Sequence, residues 1–309
     1  MSKTHVYDMI IVGGGPGGYT AAIYAASAGL DTLVLEKLSA GGQMALSEEI
    51  NNYPGFEEGV DGYTLAEKMQ RQAERFGART VYAEVERMEL AAEPKVLETS
   101  EGVFYARTVA LATGAGPREL GLADEAELVG RGVAYCAACD GMRYRGKTVV
   151  VVGGGNSAAG DALALSRIAE KVILVHRRDK LRATKAYDRP LSQAGNIEFR
   201  WNSAVVELLH GDKLSGVRLR DVNTGEETEL ACDGVFISVG RKPATELVKG
   251  QLELDKNGYI AADETTKTSL PAVYAVGDVR TKALRQVVTA VADGAAAVHM
   301  AEEYLAGGE

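Results

Sequence analysis

Cys136 and Cys139, separated only by Ala137 and Ala138, are the residues of this chain best suited to chemistry. Two thiols at that spacing, at a turn or helix start, allow a disulfide within one loop and a thiol pKa lowered toward neutrality, which suits thiol–disulfide exchange. The same pair is also half of a zinc site. However, the four histidines, at 5, 176, 210 and 299, are scattered, and no second cysteine pair completes a tetrahedral set. Redox work is therefore expected, and no metal. Asp140 follows directly, placed either to move the proton that a departing thiolate needs or to cap a helix. Cys232, alone beside Asp233, reads as a small structural hydrophobe.

Two glycine motifs are placed to bind phosphates. Gly13-x-Gly15-Pro16-x-Gly18 follows an apolar strand and opens an alanine-rich stretch. Its first glycine permits a tight turn, its second lets the backbone approach a pyrophosphate, and its third lets helix pack on strand. Glu36, 23 residues after Gly13, ends the next apolar strand, where a carboxylate accepts hydrogen bonds from ribose hydroxyls. The second motif, Gly153-x-Gly155-Asn156-Ser157-Ala158, is the variant with alanine in third place. At the position equivalent to Glu36 it has His176, followed by Arg177 and Arg178, with Arg182 a turn further on. A carboxylate there would repel a 2′-phosphate, whereas guanidinium groups bind one, so the second dinucleotide is expected to be NADP. Two dinucleotides on one chain need different tasks, and the first is most economically FAD. Downstream, a third apolar strand ends in Gly277-Asp278, the Asp placed for a polyol such as ribityl. Arg285-Gln286 then opens an expected helix over 287–304. The N-terminus of that helix would stabilise a reduced flavin's negative charge, or the helix simply packs the domain.

The elements that must position these residues repeat. At an offset of 140 the segment from Met9 aligns without gaps with that from Val149, and each copy has the pattern strand, glycine turn, alanine-rich helix, strand. Ile10 to Val12, Leu33 to Leu35, Val149 to Val152 and Val172 to Val175 are continuous apolar runs, as expected of parallel strands buried on both faces. Glycine- and proline-containing breaks at 113–117 and 240–243 mark two crossings between domains, either hinges or stiff connectors. The expectation is an α/β chain of two Rossmann-like dinucleotide-binding domains, the NADPH domain (117–244) inserted into a discontinuous FAD domain (1–116 and 245–309).

Composition agrees with this reading. A length of 309 residues suits two domains of roughly 150. With 46% hydrophobic and 25% charged residues the chain is neither disordered nor fibrous. A net charge of −9 argues against nucleic acid or an anionic membrane surface as partner. Three cysteines are too few for a secreted disulfide framework, and the apolar run Met9 to Val12 is too short for a signal peptide, so the cytoplasm is expected.

Taken in order, GGGPGG at 13–18, GGQ at 41–43, NNYPG at 51–55, ATG at 112–114, GRGVAYCAACDG at 130–141, GGGNSA at 153–158, HRRDKLRA at 176–183, VGD at 276–278 and RQ at 285–286 resemble the low-molecular-weight, bacterial-type NADPH-dependent thioredoxin reductases over nearly the whole chain. The resemblance implies a flavoprotein in which NADPH reduces FAD, FAD reduces a Cys136–Cys139 disulfide, and the dithiol reduces thioredoxin, with Asp140 as the acid. It implies FAD contacts from Gly42, Gln43, Asn52, Thr113, Gly114, Gly277, Asp278, Arg285 and Gln286. NADPH contacts would come from Asn156, Ser157, His176, Arg177, Arg178 and Arg182. It also implies a homodimer, and a rotation of the inserted domain that brings NADPH and the disulfide to the flavin in turn. No WCGPC-like segment is present, so thioredoxin would be a separate protein. The chain departs from the family at Ala138, where Thr is common, and at Ala244, where many relatives carry Asn.

Overall fold

Val6–Val12 (β1) is buried throughout from Met9 onward, as a strand inside a covered parallel sheet must be. A computed structural model describes residues 5–47 and 49–307. After β1 the chain turns into helix α1 (Pro16–Ser27), with Pro16 at the first helical position, where its fixed φ and missing N–H cost nothing. Thr32–Glu36 (β2) returns parallel to β1. Helix α2 (Gly62–Arg75) begins where the Asp61 carboxylate accepts a hydrogen bond from the Thr64 N–H at 2.7 Å. Strand β3 (Arg79–Tyr82) extends the sheet beside β2. An antiparallel meander follows, β4 (Val85–Glu89), β5 (Lys95–Thr99) and β6 (Gly102–Leu111), and β6 closes back in parallel on β1.

Ala115–Pro117 (β7) leads out of this unit. The second unit holds β8 (Val133–Ala134), α3 (Ala137–Asp140), β9 (Thr148–Val152), α4 (Asn156–Ser166), β10 (Lys171–Val175), α5 (Asp188–Gln193) and β11 (Ile197–Arg200). An antiparallel trio comes next, β12 (Ser203–His210), β13 (Leu214–Asp221) and β14 (Glu227–Ala231), and then β15 (Gly234–Ile237) enters the main sheet beside β9. That sheet runs β11-β10-β9-β15-β8 and is parallel throughout. Arg241–Pro243 (β16) leads back to the first unit. There β17 (Val273–Ala275) pairs in parallel with β6, and α6 (Val287–Leu305) lies along α1. The two compact units are Met1–Gly116 with Lys242–Glu309, and Pro117–Arg241.

The two βαβ openings correspond across the offset of 140, with α1 starting at Pro16 and α4 at Asn156. In each, alternate strand residues feed opposite cores. Met9 and Ile11 join the helix-side core of unit 1, while Ile10 and Val12 join the core on the other face. In unit 2, Val149 and Val151 face one core and Val150 and Val152 the other. Truncating one such residue, for example Ile11→Ala, is expected to cost about 2 to 5 kcal/mol. The alanine and glycine content of α1 serves close approach: a side chain at Gly294 of α6 would collide with the Gly17 backbone. Among the described residues no helix is long and apolar enough to cross a membrane.

Candidate active site

The disulfide forms where its spacing predicts. Cys136 is the N-cap of the short helix α3, its Sγ accepting from the Cys139 N–H at 3.2 Å. One helical turn thus brings the two Cα atoms to 5.3 Å, within bridging range, and the Cys136–Cys139 disulfide is present. Both cysteines are half-buried, Ala138 between them is exposed, and Ala137 is anchored in the core beside α4. The disulfide is therefore built onto the same unit as the second glycine motif. Asp140 ends α3, half-buried, and donates its N–H to the Cys136 carbonyl at 3.0 Å. Asp140 also stands at the N-cap position of the 3-10 turn Gly141–Tyr144. Cys232 is buried, and burial together with Asp233 pushes its thiol up to about 12, so it is no nucleophile.

In the second glycine turn, Gly153 has φ +154° and lies so close to the Ser238 carbonyl that no side chain fits. Gly155 is the N-cap of α4 and has open space on its Cβ side, leaving the first N–H groups of the helix available to a phosphate. Ala158 is fully buried against Gly153, which accounts for alanine in place of the third glycine. Asn156 and Ser157 are exposed at the helix start, and Asn156 Oδ1 accepts from the Thr184 N–H at 2.8 Å. His176 is only 5% exposed, its ring lies against Gly154, and its Nε2 is buried without a hydrogen-bond partner. Burial, reinforced by Arg182, Arg178 and Arg177, lowers its pKa, so the ring is neutral. The three arginines are exposed. Exposed guanidinium groups around a neutral imidazole and an open helix N-terminus fit a phosphorylated dinucleotide.

In unit 1 the corresponding turn is equally close-packed. Gly13 has φ +107°, and a Cβ there would lie 2.5 Å from the Ala112 carbonyl oxygen; Gly18 packs directly on the Gly13 carbonyl. Gly15 caps α1 with open space beside it. Glu36 Oε2 accepts from the Gly14 N–H at 2.5 Å, and its Oε1 from Lys37 N–H at 2.8 Å, so the carboxylate is held at the edge of the turn. Gly41 donates to the Gly14 carbonyl at 2.7 Å, which lays Gly42 and the exposed Gln43 beside the same turn. Asn52 Nδ2 donates to Gln286 Oε1 at 3.1 Å across 234 positions of chain. Gln286 N-caps α6 in a capping box with Thr289. Arg285 lies over the Tyr259 ring at 3.9 Å and donates to the Asp278 carbonyl at 3.4 Å. Gly277 and Asp278 form the turn after β17. Thr113 donates its hydroxyl to the Ala244 carbonyl at 2.8 Å, and Gly114 accepts from the Ala244 N–H at 3.0 Å, so these two also secure the return of the chain.

The sequence reading missed Gly14, Gly17 and Gly154, whose close packing shapes both turns, and Tyr259 beneath Arg285. The glycine triplet repeating at the offset of 140 was the available signal for Gly14 and Gly154; none marked Tyr259.

A family model described as pyridine nucleotide-disulphide oxidoreductase matches residues 7–294. Thioredoxin reductase of Treponema pallidum (strain Nichols) is 44% identical over 299 residues, 97% of each chain. That of Bacillus subtilis (strain 168) is 42% identical over 306 residues, covering 99% of this chain and 96% of the relative. The crystal structure of thioredoxin reductase from Streptococcus pyogenes MGAS5005 matches with a TM-score of 0.89 at 42% identity, over 98% of this chain and 99% of that one. This chain belongs to the pyridine nucleotide-disulphide oxidoreductase family. It is a flavoprotein disulfide oxidoreductase with FAD and NADPH as its cofactors, and within the family its similarity is to the thioredoxin reductases.

Proposed function

We propose that this enzyme reduces a separate thioredoxin, with unit 1 as the FAD-binding domain and unit 2 holding both NADPH and the redox disulfide. The Cys136–Cys139 bridge carries the reading, since it stands on the unit whose glycine turn is flanked by Arg177, Arg178 and Arg182. Bound FAD supplies the two-electron relay between nicotinamide and disulfide that side chains lack. The start of α1 with Gly13, Gly15, Pro16 and Gly18 holds its pyrophosphate, and Glu36 holds a ribose. Gly42, Gln43, Asn52, Thr113, Gly114, Gly277, Asp278, Arg285 and Gln286 hold the remainder. In unit 2, Gly153 to Ala158 hold the NADPH pyrophosphate and the arginines its 2′-phosphate, with His176 packed neutral against Gly154.

Two electrons and two protons, one from Asp140 and one from solvent, break the Cys136–Cys139 bond and leave two thiols. Asp140 gives the proton that the departing sulfur takes up and receives it when a thiolate forms for attack. That thiolate attacks the thioredoxin disulfide. The mixed disulfide is then resolved by the second thiolate, which re-forms the Cys136–Cys139 bond and releases dithiol thioredoxin. Nicotinamide and disulfide must each come within about 3.5 Å of the flavin. Both belong to unit 2, and if they compete for one face of the flavin, unit 2 would have to turn about the connections at 113–117 and 240–243 between half-reactions. The three cysteines support a cytoplasmic location and the net charge of −9 the absence of nucleic-acid and anionic-membrane partners, while a homodimer is proposed on the resemblance of the motifs alone.

The test is NADPH oxidation by the FAD-loaded protein with and without oxidised thioredoxin. Sustained oxidation that depends on thioredoxin is expected. Oxidation indifferent to thioredoxin would overturn the reading.

A further inference from the structure

Three charged side chains are buried together beside the Gly277–Asp278 turn. Asp293 of α6 is 6% exposed, Arg280 is 7%, and the Lys282 side chain is 6%. Asp293 Oδ1 accepts from Arg280 Nη2 at 2.7 Å and Oδ2 from Arg280 Nε at 2.9 Å. Oδ2 also accepts from Lys282 Nζ at 2.7 Å and from the Gly277 backbone N–H at 2.9 Å. Two cations against one anion give this trio a net charge of +1, with the exposed Asp263 carboxylate also in the field of Arg280.

A buried ion cluster is a poor device for stability alone, because apolar groups of similar volume stabilise a fold as well or better. What this one holds is more telling. Asp293 fixes the N–H of Gly277, next to Asp278. The carbonyls of Arg280 and Lys282 accept from Arg285 Nη2 and Nη1 at 3.0 and 3.4 Å. Lys282 Nζ also reaches the carbonyl of Thr289, the residue that closes the capping box on Gln286. Gly294, adjacent to Asp293, packs on the first turn of α1. Asp278, Arg285, Gln286 and the start of α1 are thus all tied to one carboxylate and its two cations.

We propose that Asp293, Arg280 and Lys282 are positioning residues of the flavin site: they hold the Gly277–Asp278 turn, Arg285 and Gln286 in one arrangement, and their net positive charge favours the anionic reduced flavin. The proposal rests on the reading of unit 1 as the FAD-binding domain. In a low-dielectric interior such a charge acts with little screening.

FAD titration of the apoprotein, read by flavin fluorescence, and the midpoint potential of the holoenzyme test this in three variants. Lys282→Met leaves Asp293 paired with Arg280. Lys282→Arg keeps the charge. The triple variant Arg280→Met, Lys282→Met, Asp293→Leu leaves no unpaired charge and is expected to fold. Lys282→Met should weaken FAD binding about tenfold, the triple variant about 100-fold, and Lys282→Arg should stay near the wild type. In Lys282→Met the two-electron equilibrium should move about tenfold toward oxidised flavin, a fall of about 30 mV. Wild-type affinity and potential in Lys282→Met would overturn the proposal, and this single variant decides even if the triple variant fails to fold. A wild-type protein that takes up no FAD would overturn the underlying FAD reading instead.

Discussion

Arg182 donates its backbone N–H to the carbonyl oxygen of Gly154 at 2.6 Å. Because of that bond, the segment after His176 folds back over the glycine turn, and Arg182 stands at the phosphate-binding end of α4 although 28 residues separate the two in sequence. The arginines are exposed there, beside the turn where the proposed NADPH phosphates would bind.

Replacing Arg177 and Arg178 together by alanine should lower the preference for NADPH over NADH by on the order of 100-fold, since each removes charge-assisted hydrogen bonds to the 2′-phosphate. NADH binding should barely change, and the KM for each cofactor decides. Equal losses for both would mean that the arginines serve the fold.

Asp140→Asn keeps the size of the side chain but cannot give or take the proton. Flavin reduction by NADPH should proceed normally, while electron transfer between flavin and disulfide slows about 100-fold. Stopped-flow absorbance separates the two phases. Thioredoxin reduction at the wild-type rate would remove Asp140 from the chemistry.

Cys136→Ser and Cys139→Ser should each abolish thioredoxin turnover while NADPH still bleaches the flavin. Cys232→Ser should retain turnover and instead lose about 1 to 3 kcal/mol of stability, because a hydroxyl then replaces a thiol in an apolar core. Denaturant unfolding alongside turnover assays checks both statements.

His176 is held neutral, its pKa lowered by burial and by three guanidinium groups. The unfolded chain therefore binds a proton more readily than the folded one, so stability is lost as pH falls from the unfolded value of about 6.5 toward the depressed folded one. Thermal unfolding from pH 7.5 to 5.5 should show this loss, and His176→Phe should lessen it. Identical slopes for the two proteins would refute the assignment.

What could be read from residue order was chemistry confined to a few consecutive positions. The spacing of Gly13, Gly15 and Gly18, and of Gly153, Gly155 and Ala158, is dictated by sterics within one turn of chain, so both βαβ openings were legible and begin where the motifs put them. The apolar runs of β1, β2, β9 and β10 were legible because strands covered on both faces admit no polar alternation. One helical turn sufficed to join Cys136 to Cys139. By contrast, the meander β4 to β6 and the trio β12 to β14 carry mixed polar and apolar faces, and no local spacing announced them. Asn52 meets Gln286, and Arg280 and Lys282 meet Asp293, only because α6 packs on α1 and β17 joins β6. His176 lay beside arginines in sequence, yet its burial against Gly154 follows from how the chain folds back. Motif spacing is a property of consecutive dihedral angles, whereas burial and long-range pairing depend on which faces the packed elements cover, and that only the tertiary structure decides.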